Sequence, residues 1–313
     1  NKSLATGTTY YYKVRAYRKV GNTKVYSDYS AISSARPVLS AAASLKVRSV
    51  SYDYANLTWG AVAGRTKYEI YRSTEQNGSY SKIAETSSTS YRAKGLIPGT
   101  TYYYKVRAYR KVSGTKVYGD YSPVLTVTTP AITSPASLNA APVSYNSVKL
   151  TWSAVAGRTK YEVYRSTEQN GTYSKVGETT STHFTDKKVS PGTTYYYKVR
   201  AYRKVSGTKV YGGFSPMASA KPELGTPKAS ASPSTSSAKL SWSAVSGATK
   251  YEVYRAASSS GTYEKIAETS SRSFKDTGLT KDQTYYYKVR AYRLVGSSKV
   301  YGPYSSVVSA KAR

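Results

Sequence analysis

The chain has 313 residues, of which 47 are lysine or arginine and 16 are aspartate or glutamate, and its formal net charge is +31 at pH 7. It contains no cysteine, which excludes disulfide bonds and thiolate chemistry. No run of apolar residues approaches the ~20 that a helix needs to span a bilayer. Each of four consecutive segments has a net charge between +6 and +9, so the charge is distributed along the whole chain and favours anionic partners.

A tyrosine-rich basic sequence, TTYYYKVRAYRKV, recurs with a period of about 90 residues, and such a period sets the number of domains. With small variation in the last copy, it begins at Thr8, Thr100, Thr193 and Gln283. The chain's three tryptophans, Trp59, Trp152 and Trp242, follow the same period. The sequence therefore predicts a partial domain at 1–36 and three complete domains at 37–130, 131–222 and 223–313, separated by proline-bearing joints at 35–42, 128–137 and 220–229.

The predicted partial domain holds only the last two strands of a repeat. Alone, this hairpin would leave its apolar face, which includes Tyr10, Tyr12 and Val14, in water, and two-stranded hairpins are only marginally stable. Two explanations are open. Either the sequence is cut from a longer array, or another molecule supplies the missing strands, which would build a fibre.

Short strands fill the first complete repeat. The segment YANLTW alternates, with Ala55, Leu57 and Trp59 on one side, which is the pattern of a half-buried strand. KYEIYR (67–72) alternates in the same way, and YSKIAET (80–86) follows an Asn-Gly pair that is typical of hairpin turns.

The repeated sequence is the longest predicted strand. Tyr102, Tyr104, Val106 and Ala108 share one face and are predicted to point into the core, so the lysines, arginines and tyrosines between them should face water. A turn at 113–114 leads into TKVYGDYS and then into a last strand, PVLTVTT.

The predicted fold class is all-β, with tandem seven-stranded immunoglobulin-like β-sandwiches arranged as an extended array. No segment keeps the period of a helix, β-branched and aromatic residues dominate, and turn signals recur between short strands. With about 30 Å per unit, three units placed end to end would hold a terminal domain about 100 Å from its anchor.

Three motifs resemble the fibronectin type III domain: the Leu-x-Trp that ends at Trp59, the Tyr-x-Ile that begins at Tyr68, and LIPGTTYYYKVRAY at Leu96–Tyr109. The resemblance implies a tyrosine corner at the start of the sixth strand, which falls on Tyr102, Tyr195 and Tyr10, with Tyr285 aligned. The last repeat departs from the family pattern, because Lys281-Asp282 replaces Pro-Gly. Such tyrosine- and lysine-rich repeats are similar to those of Gram-positive secreted and surface proteins, where they are spacers beside catalytic, adhesive or wall-anchoring domains.

The predicted outer face of the third and sixth strands interleaves rings with cations. This combination suits polyanions, because cations pair with phosphate or carboxylate while rings stack on sugars or bases. The alternative is that these residues only stabilise the sheet and prevent edge-to-edge aggregation. The candidate contact residues are Tyr71, Tyr103, Lys105, Arg107, Tyr109, Arg110, Lys111, Tyr164, Tyr196, Lys198, Arg200, Tyr202, Tyr286, Lys288, Arg290 and Tyr292.

The sequence predicts no catalytic, metal or cofactor site. His183 is the only histidine and does not recur, so we interpret it as a solvated residue. The recurring Glu69, Glu162 and Glu252 each follow a lysine by two positions, which indicates surface ion pairs. A glycosidase needs paired carboxylates in a cleft, and phosphate loops and nucleophile–base pairs are missing from the sequence.

The leading functional hypothesis is a non-catalytic extracellular spacer array, secreted or attached to a bacterial surface, with weak multivalent binding to anionic cell-wall polymer or glycan. One alternative is an adhesin or carbohydrate-binding accessory module of a secreted hydrolase. Another is a subunit of a self-assembling filament. No specific nucleic-acid partner is predicted.

Overall fold

The computed structural model describes residues 4–313, in which all 28 regular elements are β-strands. The all-β prediction is therefore confirmed. Residues up to Ile132, together with Lys204–Val210, form one compact unit, and Thr133–Arg203 with Tyr211–Arg313 form a second. Between residues 4 and 313 there is no helix of the length and apolarity needed to cross a membrane.

The first unit opens with four short antiparallel strands, in which β1 pairs with β4 and β2 with β3. Val14 is 71% exposed here, whereas Val106, which holds the same place in a complete repeat, is fully buried. The four strands therefore carry an apolar face that their own residues do not cover. The strands are β1 (Tyr10–Tyr12), β2 (Tyr17–Val20), β3 (Thr23–Tyr26) and β4 (Ser33–Ala35).

The first complete sandwich follows in the same unit and has two sheets. Its three-stranded sheet, in the order β5-β6-β9, contains β5 (Lys46–Val50), β6 (Tyr54–Thr58) and β9 (Ser90–Lys94). Its five-stranded sheet, in the order β11-β10-β7-β8 with β12 also paired to β10, contains β7 (Lys67–Ser73), β8 (Ser81–Thr86), β10 (Thr101–Val112), β11 (Thr115–Tyr121) and β12 (Leu125–Thr128).

The second and third sandwiches repeat this topology strand for strand. The second contains β13 (Leu138–Ser144), β14 (Ser147–Trp152), β15 (Lys160–Ser166), β16 (Ser174–Thr179), β17 (His183–Asp186), β18 (Tyr195–Val205), β19 (Thr208–Phe214) and β20 (Ala218–Ala220). The third contains β21 (Ala229–Ser234), β22 (Ser237–Trp242), β23 (Lys250–Ala256), β24 (Glu264–Thr269), β25 (Ser273–Thr277), β26 (Thr284–Val295), β27 (Ser298–Tyr304) and β28 (Val308–Lys311).

Each sandwich is closed by one tryptophan and one tyrosine that meet between the sheets. Trp59 and Tyr68 have ring centroids 5.4 Å apart at an interplanar angle of 75°, which is a favoured edge-to-face geometry. The equivalent pairs are Trp152–Tyr161 and Trp242–Tyr251. The three tryptophans are only 5–6% exposed, so their predicted place in the core is confirmed.

The predicted last strand differs from the observed one. It was expected to include Pro123, but β12 begins at Leu125, and the chain between β11 and β12 leaves the ladder at Ser122. There the Ser122 hydroxyl accepts a hydrogen bond from the Val106 amide at 3.1 Å, in place of a backbone carbonyl. Since β11 and β12 share one edge of β10, eight strand segments occupy seven strand positions.

The tyrosine corners are present in all four copies of the repeat. The hydroxyl of Tyr102 accepts a hydrogen bond from the Ile97 amide at 2.8 Å. The corresponding bonds to the hydroxyls of Tyr10, Tyr195 and Tyr285 measure 2.8, 2.9 and 3.3 Å. The longest belongs to the repeat in which Lys281-Asp282 replaces Pro-Gly.

Candidate functional site

The candidate face is the outer surface of each five-stranded sheet. On the first sandwich, β7 and β10 run antiparallel with Glu69 opposite Arg107 and Tyr71 opposite Lys105. These four side chains point away from the Trp59–Tyr68 core because alternate residues of a strand face opposite sides. Arg107 and Glu69 are thus neighbours across the middle of the sheet.

Glu69 is the centre of this face and is only 2% exposed. Its Oε2 accepts hydrogen bonds from the Arg107 Nη2 at 2.9 Å and from the Tyr71 hydroxyl at 2.7 Å. Its Oε1 accepts from the Lys116 Nζ at 3.0 Å and from the Tyr118 hydroxyl at 3.3 Å. Donors from three strands therefore converge on one carboxylate.

Glu69 stays ionised because the hydrogen bonds from its donors lower its pKa by more than burial raises it. Burial alone would raise the pKa of Glu69, but hydrogen bonds from Tyr71, Lys116 and Arg107 lower that pKa to about 2. The prediction that Glu69 forms an exposed ion pair with the neighbouring Lys67 is wrong. Its cationic partners are Lys82 of β8, Arg107 of β10 and Lys116 of β11, and long side chains from these strands cover it.

The same network is built in the other two sandwiches. Glu162 accepts from Arg200 at 3.0 Å and from Tyr164 at 2.7 Å, and Glu252 is 1% exposed and holds its partners in the same way. Burial again opposes ionisation, and hydrogen bonds from Tyr254, Arg290 and Lys299 lower the pKa of Glu252 to about 2. A surface ion pair was predicted for these two residues as well, and that prediction is wrong for the same reason.

Rings surround the arginine that pairs with this carboxylate. The Arg107 guanidinium lies 3.7 Å from the Tyr118 ring centroid and 4.9 Å from that of Tyr121, while Tyr71 and Tyr121 meet edge to face at 5.3 Å. In the second sandwich Phe214 replaces Tyr121 and keeps the ring contact with Arg200 at 5.1 Å. Arg107 is thereby fixed by one carboxylate and several rings.

Lys105 differs from Arg107 because rings alone hold it. Its Nζ lies 4.1 Å from the Tyr80 centroid and 4.5 Å from the Tyr121 centroid, and no carboxylate of residues 4–313 forms an ion pair with it. Lys198 repeats the contact with Tyr173, and Lys288 repeats it with Tyr263 and Tyr304. The contribution of Tyr80 was missed from sequence, although a tyrosine recurs after each of these turns.

Three of the predicted contact residues do not face water. Tyr109, Tyr202 and Tyr292 are 2%, 3% and 1% exposed. Despite a register irregularity between Arg107 and Tyr109 in the pairing of β10 with β11, Tyr109 stays on the outer face opposite Tyr118. It is buried there because β11 covers it, with the Lys116 Nζ 4.3 Å from its ring centroid. Tyr202 and Tyr292 donate hydrogen bonds to Glu178 and Glu268 at 2.6 and 2.8 Å.

The remaining predicted residues divide between two places. Tyr103 and Lys105 are half-buried on the candidate face, as are Tyr196, Lys198, Tyr286 and Lys288 in the other sandwiches. Arg110 and Lys111 are exposed beyond the irregularity, near the end of the sandwich. There Arg293, the equivalent of Arg110, donates to the Gly247 carbonyl at 3.0 Å. Arg110 is therefore separated from the face, whereas Lys111 lies directly opposite Lys116, whose Nζ bonds Glu69 on that face.

Two carboxylates of this face, Glu69 and Glu85, share a hydrogen-bond donor in Lys116. Glu69 is ionised near neutral pH, so it cannot donate a proton, and the pKa of Glu85 is also lowered, chiefly by the hydrogen bond from Lys116. Across the described part of the chain, no three histidines or carboxylates are grouped so that they could hold a metal ion. His183 is exposed on β17.

These features define a chain of repeated immunoglobulin-like β-sandwich modules. On each module, the buried carboxylate of the outer face is paired with cations of the same module. Residues 40–126 match the family model described as "Fibronectin type III domain". The match covers the first complete sandwich and confirms the resemblance to fibronectin type III domains. The predicted domain boundaries stay predictions.

Several enzymes contain similar stretches. Exoglucanase B of Cellulomonas fimi is 30% identical over 263 residues, which cover 76% of this chain and 22% of the relative. Endoglucanase B of Cellulomonas fimi is 29% identical over 263 residues, with 76% and 24% covered. Alpha-amylase of Niallia circulans is 39% identical over 94 residues, with 29% and 7% covered. The chain thus spans less than a quarter of the length of each of these relatives.

Proposed function

We propose that the chain is a non-catalytic spacer and accessory array of an extracellular bacterial protein that acts on a polymer. The observation that carries this proposal is the closed network on each sandwich, where Glu69, Glu162 and Glu252 are buried by their own arginine, lysine and tyrosine donors. Because the charged groups of this face pair with one another, they make the module rigid and do not form a reaction centre. The similarity to an exoglucanase and an endoglucanase supports the polymer context.

A second candidate function is weak contact with an anionic polymer. Lys105, Lys198 and Lys288 support it because each lies against rings at the same place on its sandwich. Single exposed cations bind weakly, but three on one chain gain avidity if a polymer can reach them together. The net charge of +31 adds a long-range attraction that salt would screen.

The experiment is retention of the whole chain on two insoluble materials, cellulose and bacterial cell wall that carries teichoic acid. We expect little retention on cellulose, and retention on the anionic wall at about 20 mM salt that disappears by about 300 mM. Salt-resistant retention on cellulose would instead identify a carbohydrate-binding module and contradict the spacer proposal.

Matched variants separate the ring-held lysines from the overall charge. The combination Lys105→Gln, Lys198→Gln and Lys288→Gln removes three charges from the candidate face. The control, Lys94→Gln, Lys149→Gln and Lys239→Gln, removes three exposed charges from the opposite sheets. A larger loss of wall retention in the first variant supports the local contact, and equal losses leave only non-specific charge attraction.

A further inference from the structure

The second and third sandwiches contact each other through a tyrosine that packs on a glycine. Tyr145, between β13 and β14, lies so close to Gly247, between β22 and β23, that a Cβ on this glycine would be 2.6 Å from three ring atoms. Tyr145 also packs against the hydrophobic core of the third sandwich. The only residue type that fits under the ring at this distance is glycine.

An arginine of the third sandwich completes this contact. The Arg293 guanidinium lies 5.0 Å from the Tyr145 ring centroid, and its Nη1 donates to the Gly247 carbonyl at 3.0 Å. The ring is therefore covered by a cation on one side and by the glycine backbone on another. Such cation–ring contacts are stronger when they are partly desolvated, as they are beside a hydrophobic core.

A second contact joins the same two sandwiches. Gly192, three residues before the corner tyrosine, lies against Val300 of β27, and a Cβ on Gly192 would be 2.7 Å from the Val300 Cγ1. In the first unit the same contact recurs between Gly7 and Val117, where the corresponding distance is 2.8 Å. The contact is therefore made by equivalent positions of the repeat in both units.

The third sandwich has neither a tyrosine at the position of Tyr145 nor a glycine at the position of Gly192. Thr235 stands where the second sandwich has Tyr145, seven residues before the tryptophan, and it is exposed. Asp282 stands where Gly192 does, with φ of 65°, and its exposed carboxylate pairs with Lys311 at 3.3 Å. At this position the third sandwich has an exposed aspartate side chain, whereas the other copies have a glycine, which has none.

We propose that Tyr145 and Gly192 form a docking surface whose partner is the face of a following module that carries a glycine, an arginine and a valine at the positions of Gly247, Arg293 and Val300. This surface holds the second and third sandwiches at a fixed mutual orientation. The third sandwich, with Thr235 and Asp282, does not offer the surface to any further module. This joint between the two sandwiches does not depend on contact between the array and a polymer.

The test measures the distance between the two sandwiches in the whole chain. Because the sequence has no cysteine, Lys149→Cys and Lys239→Cys introduce two unique, exposed sites for spin labels on β14 and β22. Pulsed electron paramagnetic resonance then gives the distribution of label distances. We expect one narrow distribution, because a fixed joint restricts the motion that separate domains otherwise show.

The test variant carries Tyr145→Thr and Gly192→Asp, which are the residues that the third sandwich itself has at these positions. It is therefore expected to fold, and a thermal unfolding profile checks this. We expect the width of the distance distribution to increase about twofold, as for a joint without a docked interface.

The matched control is Gly278→Asp. Gly278 also has a positive φ, of 75°, but a Cβ there would meet no atom within 4 Å. The control carries the same backbone strain without touching the joint, and its distribution should stay narrow. A narrow distribution in the folded test variant would overturn the proposal, as would equal broadening in test and control.

Discussion

Glu69 shows at the scale of one residue how this sheet tolerates a buried charge. An isolated buried carboxylate would be protonated or would destabilise the fold around it. A buried ion pair is by itself only weak evidence for stability. Here the carboxylate has five donor residues within hydrogen-bonding distance: Tyr71, Lys82, Arg107, Lys116 and Tyr118. Removing the carboxylate would take the ion-pair partner from Lys82 and Arg107, although Lys116 would keep Glu85, so we expect stability to depend on Glu69.

The lowered pKa of Glu69 predicts a specific acid sensitivity. Glutamates of an unfolded chain titrate near pH 4.3, whereas hydrogen bonds lower the folded pKa of Glu69 to about 2 despite its burial. The unfolded state therefore binds the proton first, and the stabilisation present above about pH 5 is lost progressively as the pH falls towards 2.

The measurement uses Trp59 fluorescence in a chain with Trp152→Phe and Trp242→Phe, so that only the first sandwich is reported. In this background Glu69→Gln should lower the free energy of unfolding at pH 7 by about 3 kcal/mol and flatten its dependence on pH between about 5 and 2. The control is Glu75→Gln, a change at an exposed acid of the same sandwich. An acid profile unaltered by Glu69→Gln would contradict the assignment.

A buried tyrosine hydroxyl distinguishes the first sandwich from the other two. In the second and third, Tyr197 and Tyr287 donate to Asp186 and Asp276 at 3.2 and 2.9 Å. Those aspartates also pair with Arg165 and Arg255. In the first, Ala93 occupies the aspartate position, and the Tyr104 hydroxyl is buried without a partner. Burial raises the pKa of Tyr104 to about 12.

We expect Ala93→Asp to stabilise the first sandwich by about 1 kcal/mol, because it gives Tyr104 an acceptor and Arg72 a counter-charge. The reverse change, Asp186→Ala, should destabilise the second sandwich by about 2 kcal/mol, since it leaves a buried hydroxyl and a cation unpaired. Chemical denaturation followed through Trp59 or Trp152 alone measures each effect. If Ala93→Asp destabilises the first sandwich and Asp186→Ala stabilises the second, then the free-energy cost of desolvating the aspartate exceeds the stabilisation that its partners provide.

At the scale of the element, alternation along each strand predicted which face a side chain takes, but not which outward side chains a neighbouring strand covers. Ala55, Leu57 and Trp59 face the core as expected, and so do the inward residues of β10 as far as Ala108. The next residue, Tyr109, lies on the predicted outer face but is buried, because Lys116 and Tyr118 of β11 cover it there. The burial of Glu69 was missed for a related reason, since its cover comes from residues 38 or more positions later.

The start of the sixth strand offers a test at the same scale. Tyr102→Phe removes a hydrogen bond of 2.8 Å from the Ile97 amide, whereas Tyr285→Phe removes one of 3.3 Å from the Thr280 amide. We expect a loss of about 1 kcal/mol for Tyr102→Phe and a smaller loss for Tyr285→Phe. Denaturation monitored through the tryptophan of each sandwich compares them, and a larger loss at Tyr285 would contradict the ranking.

At the scale of the whole molecule, repetition in the sequence was enough to predict the sandwiches, and the resemblance to fibronectin type III domains is confirmed by the family match at 40–126. The composition does not show which cations are paired within their own sandwich and which remain available to a partner. A net charge of +31 indicates an anionic partner, yet Arg107, Arg200 and Arg290 are bound by carboxylates of their own sandwich. Contacts between strands far apart in sequence decide which cations stay available, and one sequence alone does not show them.

Calorimetric unfolding of the whole chain with Glu69→Gln, Glu162→Gln and Glu252→Gln tests most directly whether the charged faces hold the modules together. We expect all three sandwiches to unfold at lower temperature than in the parent chain, while wall retention at low salt is not reduced. Unchanged unfolding temperatures together with a clear loss of wall retention would contradict it, because the carboxylate network would then organise a ligand site instead of the fold.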